Sequence, residues 1–147
     1  MIEDDPNVLQ MLLVSLRGAG FNAIGFSDPL DALMWVTEAD PACLIVDLKM
    51  PGVDGLDLVE ACLSLGRHDL ILISAQATIR TAVDATKLGA FDVIEKPFEA
   101  ERLVQSVSRA MELRQPSLAD EPTFTRRERQ VAELIIAGHS TKAIARR

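Results

Sequence analysis

The sequence predicts a doubly wound α/β domain built on a parallel sheet, and three observations carry that reading. Short apolar runs alternate with segments whose apolar residues recur at helical spacing, and each return to a parallel neighbour needs such a crossover. The runs are continuous rather than alternating, Cys43 to Val46 and Leu70 to Ile73 above all, as strands covered on both faces require. The core must also be aliphatic, because 48% of the 147 residues are hydrophobic while only 4% are aromatic and Tyr is absent.

Taken in order, Asp5-Pro6 opens a first helix, with Asp capping free N–H groups and Pro tolerated in the first turn. Val8, Leu9, Leu12, Leu13 and Leu16 form its inner face, and Gly18 and Gly20 stop it. Phe21 to Phe26 reads as a strand. Ser27-Asp28-Pro29 starts a second helix carrying Leu30, Leu33, Met34 and Val36, which ends before Asp40-Pro41. The Cys43 to Val46 strand follows, with Asp47 where the run stops. Asp54 to Leu65 is helical through Leu56, Val59 and Leu63, with Gly66 as its stop. Leu70 to Ile73 is the next strand. Ala77 to Leu88 makes a helix with a thin stripe, Ile79 and Val83, so it packs loosely and is free to move; Gly89 closes it. Phe91 to Ile94 is the last strand, and Phe98 to Arg114 a longer helix with Leu103, Val104, Val107 and Met111 inward.

Composition excludes several classes. Cys43 and Cys62 lack the spacing of a metal site or disulfide framework and read as buried thiols. No apolar stretch reaches the roughly 18 to 20 residues of a membrane span, and no basic region leads into an apolar one at the N-terminus, so the expected location is cytoplasmic with no membrane partner. Residues 1–123 carry 9 Lys plus Arg against 20 Asp plus Glu, a balance of −11, whereas residues 124–147 carry 6 against 2, or +4. An acidic body repels nucleic acid, and a basic tail can approach phosphates or simply be a solvated helix face.

In a doubly wound sheet the loops leaving the carboxyl ends of the strands form the ligand crevice. Residues far apart in sequence then converge there: Glu3, Asp4 and Asp5, then Asp47, Ser74 and Lys96. Clustered carboxylates supply hard oxygen ligands for Mg²⁺. A carboxylate can also attack phosphorus to form an aspartyl phosphate, with Lys96 pairing the phosphate as a point charge and Ser74 donating a hydrogen bond. Each member alone has a plainer reading. Asp5 serves equally as a helix cap, Glu3 and Asp4 as a solvated acidic terminus, and Lys96 as a surface charge. Their order on the α/β pattern is what chance does not readily produce.

These residues reach a family. Ile2-Glu3-Asp4-Asp5-Pro6, Val46-Asp47-Leu48-Lys49-Met50-Pro51, Asp54-Gly55, Ile73-Ser74-Ala75 and Glu95-Lys96-Pro97-Phe98 resemble the receiver domain of bacterial two-component response regulators. The resemblance implies a five-stranded flavodoxin-like (βα)5 fold over residues 1–115, a linker at 116–123, and a sensor histidine kinase that passes its phosphoryl group to Asp47. It implies a Mg²⁺ site of Glu3, Asp4, Asp47 and the Lys49 backbone carbonyl, with Asp4 the nearer of the acidic pair. Ser74 matches the switch hydroxyl and Lys96 the phosphate lysine. Phosphoacceptance of this kind makes the protein no enzyme beyond self-dephosphorylation.

The tail has its own resemblance. Phe124-Thr125-Arg126-Arg127-Glu128-Arg129-Gln130-Val131 and Ala137-Gly138-His139-Ser140-Thr141-Lys142-Ala143-Ile144-Ala145 are similar to the start of a LuxR-type helix-turn-helix, which together with the receiver suggests a NarL/FixJ-type transcriptional regulator. Thr125 with Glu128 makes a capping box, and Val131, Leu134 and Ile135 a helical stripe; a short helix alone would read the same way.

Three departures from the pattern set further expectations. Only Met1 and Ile2 precede Glu3, so most of the first strand is missing, and its two neighbours should show unpaired backbone groups around a gap in the core. The sequence stops at Arg147 inside the second helix of the DNA-binding motif, so specific DNA binding is expected of a parent protein and not of this chain. Val93 stands where receivers carry Tyr or Phe, which leaves Ser74 and the Ala77 to Leu88 helix as the expected switch. Homodimerisation is left open. The alternatives are a degenerate receiver that only docks a partner, favoured by the short first strand, and a small-molecule aspartyl-phosphate hydrolase, opposed by the lack of a second acid two residues after Asp47. There is no Gly-rich phosphate loop.

Overall fold

The computed structural model describes residues 1–114. The expected linker and helix-turn-helix segments lie outside the described residues. Five helices run in chain order: α1 (Pro6–Gly18), α2 (Pro29–Glu38), α3 (Gly55–Ser64), α4 (Ile79–Leu88) and α5 (Ala100–Arg114). The strands are β1 (Cys43–Asp47), β2 (Lys49–Met50), β3 (Val53–Asp54), β4 (Asp69–Ser74) and β5 (Asp92–Glu95). β1, β4 and β5 form a parallel sheet in that order, with Val46 level with Leu72 and Leu72 level with Val93. No described helix is long and apolar enough to cross a membrane.

The strand alternation sorts the core into two layers. Leu44, Val46, Leu70 and Leu72 point to one face, where Ala32 and Val36 of α2, Leu58, Val59 and Cys62 of α3 and Ala85 of α4 cover them. Ile45, Ile71 and Ile73 point to the other, against Leu12 and Leu16 of α1 and Leu103 and Val107 of α5. Both faces are therefore apolar, which is why the strands read as unbroken aliphatic runs. Burying a Leu or Ile completely is worth about 1.5–3 kcal/mol, and Leu70 to Ile73 are all fully buried.

Local chemistry sets the helix ends. Asp5, Asp28 and Asp54 accept from backbone N–H groups at the starts of α1, α2 and α3, and Thr78 does so for α4. Gly89 ends α4 at φ 99°, a left-handed conformation that costs a side chain dearly.

Several expectations need correction. Phe21 to Phe26 is not a strand; Ile2 alone bridges Phe26 on one side and Val46 on the other, both in parallel. A ladder cannot extend where it has a single partner residue. A cavity of about 210 Å³ lies beside Met1 and Ile2. On α2, Leu30 and Met34 are exposed and the inner face is Ala32 and Val36. On α4, Ile79 and Val83 face outward, and only Ala85 is buried. The stripe of α3 is Leu58, Val59 and Cys62, with Leu56 on its rim. Met111 is partly exposed on α5, where Ser106 and Ala110 join Leu103 and Val107 inside. Cys43 is half-buried and Cys62 fully so. The β2–β3 hairpin, antiparallel across Pro51-Gly52 with Gly52 at φ 79°, was not legible as strand in two-residue pieces.

Candidate functional site

Asp47 ends β1, and its side chain is only 5% exposed. A charge so placed needs partners. Lys96, directly after β5, supplies one: its Nζ lies 2.8 Å from Asp47 Oδ2 and 3.1 Å from Glu3 Oε2. The Lys49 N–H donates to Asp47 Oδ1 at 3.0 Å, and the Asp5 N–H donates to Glu3 Oε1 at 3.1 Å. Both carboxylates are thus held at one oxygen by backbone and at the other by ammonium, which is charge-assisted bonding at both ends.

Register brings the members together. Ile2 donates its N–H to Ile45 O at 2.8 Å and accepts from Asp47 N at 3.0 Å, so the next residue, Glu3, emerges beside Asp47. Ser74 closes β4 level with Glu95, and its carbonyl accepts from the Lys96 N–H at 2.8 Å. The Lys96–Pro97 peptide is cis. The Ser74 side chain is buried and its Oγ accepts from the Gln76 N–H at 3.2 Å.

Charge balance within the cluster is unequal. Burial holds the Glu3 carboxyl above its usual range, and the Asp5 N–H and Lys96 only partly offset it. Burial pulls Lys96 down, but the hydrogen bonds it donates to Asp47 and Glu3 outweigh that and raise it. The ammonium therefore stays charged and neutralises one of two buried acids.

Carboxylate oxygens of Glu3, Asp4 and Asp47 lie within 4.8 Å of one another, with Asp4 exposed and the other two buried. Three hard oxygen donors converging at a strand edge, one of them facing solvent, fit a small divalent cation. Asp5 is not among them: it caps α1 by accepting from Asn7 N at 2.9 Å and Val8 N at 3.3 Å. Of the two readings of Asp5 the helix cap is the one realised. The Lys49 amide is engaged with Asp47, whereas the role expected for its carbonyl stands on resemblance.

Two contributors went unread in the sequence. Gln76 latches Ser74 through its amide, a contact signalled only by a hydroxyl two residues upstream. Gly55 begins α3 where a Cβ would overlap the Leu48 carbonyl and Cα, so only glycine lets α3 pack against the loop that follows Asp47. The Asp54-Gly55 pair was visible, but not that contact.

Comparisons with known proteins agree with this arrangement. The response regulator receiver domain family matches residues 1–108. The transcriptional regulatory protein FixJ of Bradyrhizobium diazoefficiens is 34% identical over 160 aligned positions, covering 99% of this chain and 77% of that protein. The C4-dicarboxylate transport transcriptional regulatory protein DctD of Rhizobium meliloti is 38% identical over 115, covering 78% of this chain and 25% of that protein. The crystal structure of FixJ-N superposes with a TM-score of 0.69 at 29% identity, covering 80% of this chain and 94% of that one. The Francisella response regulator 1452 receiver domain gives 0.71 at 21% identity over 76% and 93%, a likeness of fold. With an acid-lysine cluster at the carboxyl edge of a parallel sheet and these matches over most of its length, the chain belongs to the response regulator receiver domain family.

Proposed function

We propose that Asp47 is the phosphoacceptor of this response regulator and that a sensor histidine kinase is its donor. The observation that carries this is the buried Asp47 carboxylate beside Lys96 Nζ at 2.8 Å, at the carboxyl edge of the sheet. An Asp47 oxygen bonds to phosphorus as the P–N bond to the donor imidazole breaks, and the imidazole leaves with a proton from solvent. Lys96 has a third N–H for a phosphoryl oxygen. Glu3, Asp4, Asp47 and the Lys49 backbone carbonyl are the groups assigned to Mg²⁺, which when bound offsets the charge of the phosphoryl oxygens.

Ser74 is assigned the switch. Its hydroxyl accepts from the Gln76 N–H and still has its own proton to donate to a phosphoryl oxygen, so a move of Ser74 toward the phosphoryl group pulls on the loop that leads to Thr78 and α4. With one buried side chain, α4 has little holding it in place. Val93 packs half-buried against the α2–α3 layer and offers no ring to follow Ser74, so displacement of α4 is the readout. The output is a transcriptional one, a reading supported by the LuxR-like tail and by the name of FixJ.

Incubation with acetyl phosphate and Mg²⁺, followed by intact mass, tests the assignment. One phosphoryl group should be gained and lost on Asp47→Asn. A folded chain that gains none would leave the partner-docking reading in its place. If a phosphate mimic leaves amide shifts in residues 74–88 unchanged, the Ser74 switch is wrong.

A further inference from the structure

The peptide joining Leu48 to Lys49 is held on three sides. The Leu48 N–H donates to Ile73 O on β4 at 2.9 Å, which ties the start of the loop to the sheet. The Lys49 N–H donates to Asp47 Oδ1 at 3.0 Å, so this peptide grips one oxygen of the buried carboxylate while Lys96 grips the other. The third side is Gly55. β2 and β3 pair Lys49 with Asp54, which puts Gly55 level with Leu48 at the end of the hairpin, and Gly55 is buried there.

A Cβ on Gly55 would lie 2.6 Å from Leu48 Cα and 2.8 Å from its carbonyl carbon, and nearer still to the carbonyl oxygen. All three atoms are backbone, so none can turn aside as the end of a side chain would. The Gly55 φ is not left-handed; what glycine supplies here is close approach. The approach is held from the other side too. Asp54 Oδ1 accepts from the Leu56 N–H at 2.9 Å, and Leu58, Val59 and Cys62 seat α3 on the sheet. Since α3 cannot back away without opening that buried face, the Leu48–Lys49 peptide is what must yield to a larger residue. The Leu48 carbonyl and the Lys49 N–H share one rigid plane. With Leu48 N tied to Ile73, pushing the carbonyl tilts the plane and carries the Lys49 N–H off Asp47 Oδ1. The carboxylate then keeps Lys96 on Oδ2, and its orientation is no longer fixed from both ends.

We propose that Gly55 is a positioning residue for Asp47: by leaving room for the Leu48 carbonyl it keeps the Lys49 N–H on Oδ1, and so fixes the orientation in which Asp47 meets a phosphoryl donor. The effect on reaction rate rests on the phosphoacceptor reading above, whereas the grip on Oδ1 does not. Gly55 acts through Leu48 and Lys49 alone, and its place is legible only once α3 and the β2–β3 hairpin are seen to close on the same peptide.

The test compares the 147-residue chain, ¹⁵N-labelled, with Gly55→Ala and with Asp92→Ala, which is destabilised at the other end of β5 through the lost acceptor of Ser106. Without metal or donor, the Lys49 amide proton of Gly55→Ala should move upfield by about 0.5 ppm or more as its hydrogen bond lengthens. It should also exchange at least about tenfold faster than in Asp92→Ala. With acetyl phosphate and Mg²⁺, Gly55→Ala should gain its phosphoryl group at least about tenfold more slowly than the wild-type chain. Asp92→Ala should stay within about twofold of wild type. An unmoved Lys49 amide in folded Gly55→Ala overturns the proposal, and a moved amide with an unchanged labelling rate overturns its part in the reaction. Equal slowing in Asp92→Ala marks a loss of stability and overturns it too. Should Gly55→Ala fail to fold, Asp54→Ala decides: it frees α3 to draw Gly55 off Leu48, and the Lys49 amide should exchange about threefold or more faster than in Asp92→Ala. No change there overturns the proposal. A wild-type chain that gains no phosphoryl group brings down the phosphoacceptor reading and the rate effect with it, and the Lys49 amide then decides the grip.

Discussion

Replacing Lys96 by Met keeps most of the stem and removes the charge that sits 2.8 Å from Asp47 and 3.1 Å from Glu3. At an effective dielectric of about 20, each contact is worth roughly 5–6 kcal/mol of Coulomb attraction before desolvation. Most of that is cancelled by the cost of taking the charges from water, and breaking a buried pair costs about 3–5 kcal/mol in total. Lys96 is 28% exposed, so water can reach part of the space it leaves and the lower figure applies. The expected loss is about 3 kcal/mol. Asp47→Asn in the same chain removes one of the two stranded acids and should recover about half of it, so the coupling is at least about 1.5 kcal/mol, that recovery plus whatever Asp47→Asn alone costs. Urea unfolding without divalent cations reads this directly, because Trp35 is the single tryptophan and packs on Phe26 with centroids 5.7 Å apart. With a slope near 2 kcal/mol/M, Lys96→Met should lower the midpoint by about 1.5 M. A coupling below about 0.5 kcal/mol would refute the claim that Lys96 offsets these two acids.

Gly55→Ala should cost about 1–3 kcal/mol, because the new Cβ meets Leu48 backbone rather than a side chain that can turn aside; an unchanged urea midpoint would contradict it. Asp92→Ala should cost about 2–3 kcal/mol, since Ser106 Oγ is fully buried, donates to Asp92 Oδ2 at 2.6 Å, and would lose that acceptor; the double variant with Ser106→Ala should then lose less than the sum of the singles. His68 is held below its ordinary 6.5, first by burial and then by the charge of Arg67, and its Nδ1 accepts from Ala42 N–H at 3.1 Å. The unfolded imidazole therefore binds a proton at a pH where the folded one does not, so stability is full above about 6.5 and falls as pH drops from there toward the lower folded value. His68→Gln should flatten that slope between about pH 7 and about pH 5, and an unaltered slope would assign the acid sensitivity elsewhere.

The strands of the sheet were legible because each is apolar on both faces, and Asp47, Ser74 and Lys96 were legible because each ends or follows such a run. Helix faces were read less well. On α2 and α4 the large apolar residues Leu30, Met34 and Ile79 are exposed, and small Ala32 and Ala85 are buried. Against a flat aliphatic sheet a small residue lets the helix approach, so size misled where periodicity alone was consulted. Phe21 to Phe26 has strand-like composition but lacks a partner along most of its length, and partner supply is a tertiary property. Asp92 carries no motif of its own in the sequence, yet it gathers Arg102 at 2.9 Å, Ser106 and Arg109 at 3.3 Å from α5.

The Glu3–Lys96–Asp47 cluster joins positions 93 and 49 residues apart along the chain. No helix or hairpin can assemble it alone, and contacts of such separation exist only once the whole sheet is in place. Asp47 and Lys96 therefore separate only when the ladder of β1, β4 and β5 opens, whereas Glu3 is held in place through the Ile2 bridges. Any ion or phosphoryl group held there stabilises the domain as a unit, by an amount set by its concentration relative to its dissociation constant. Heat resistance of the entire domain thus becomes a gauge of what occupies one small corner of it.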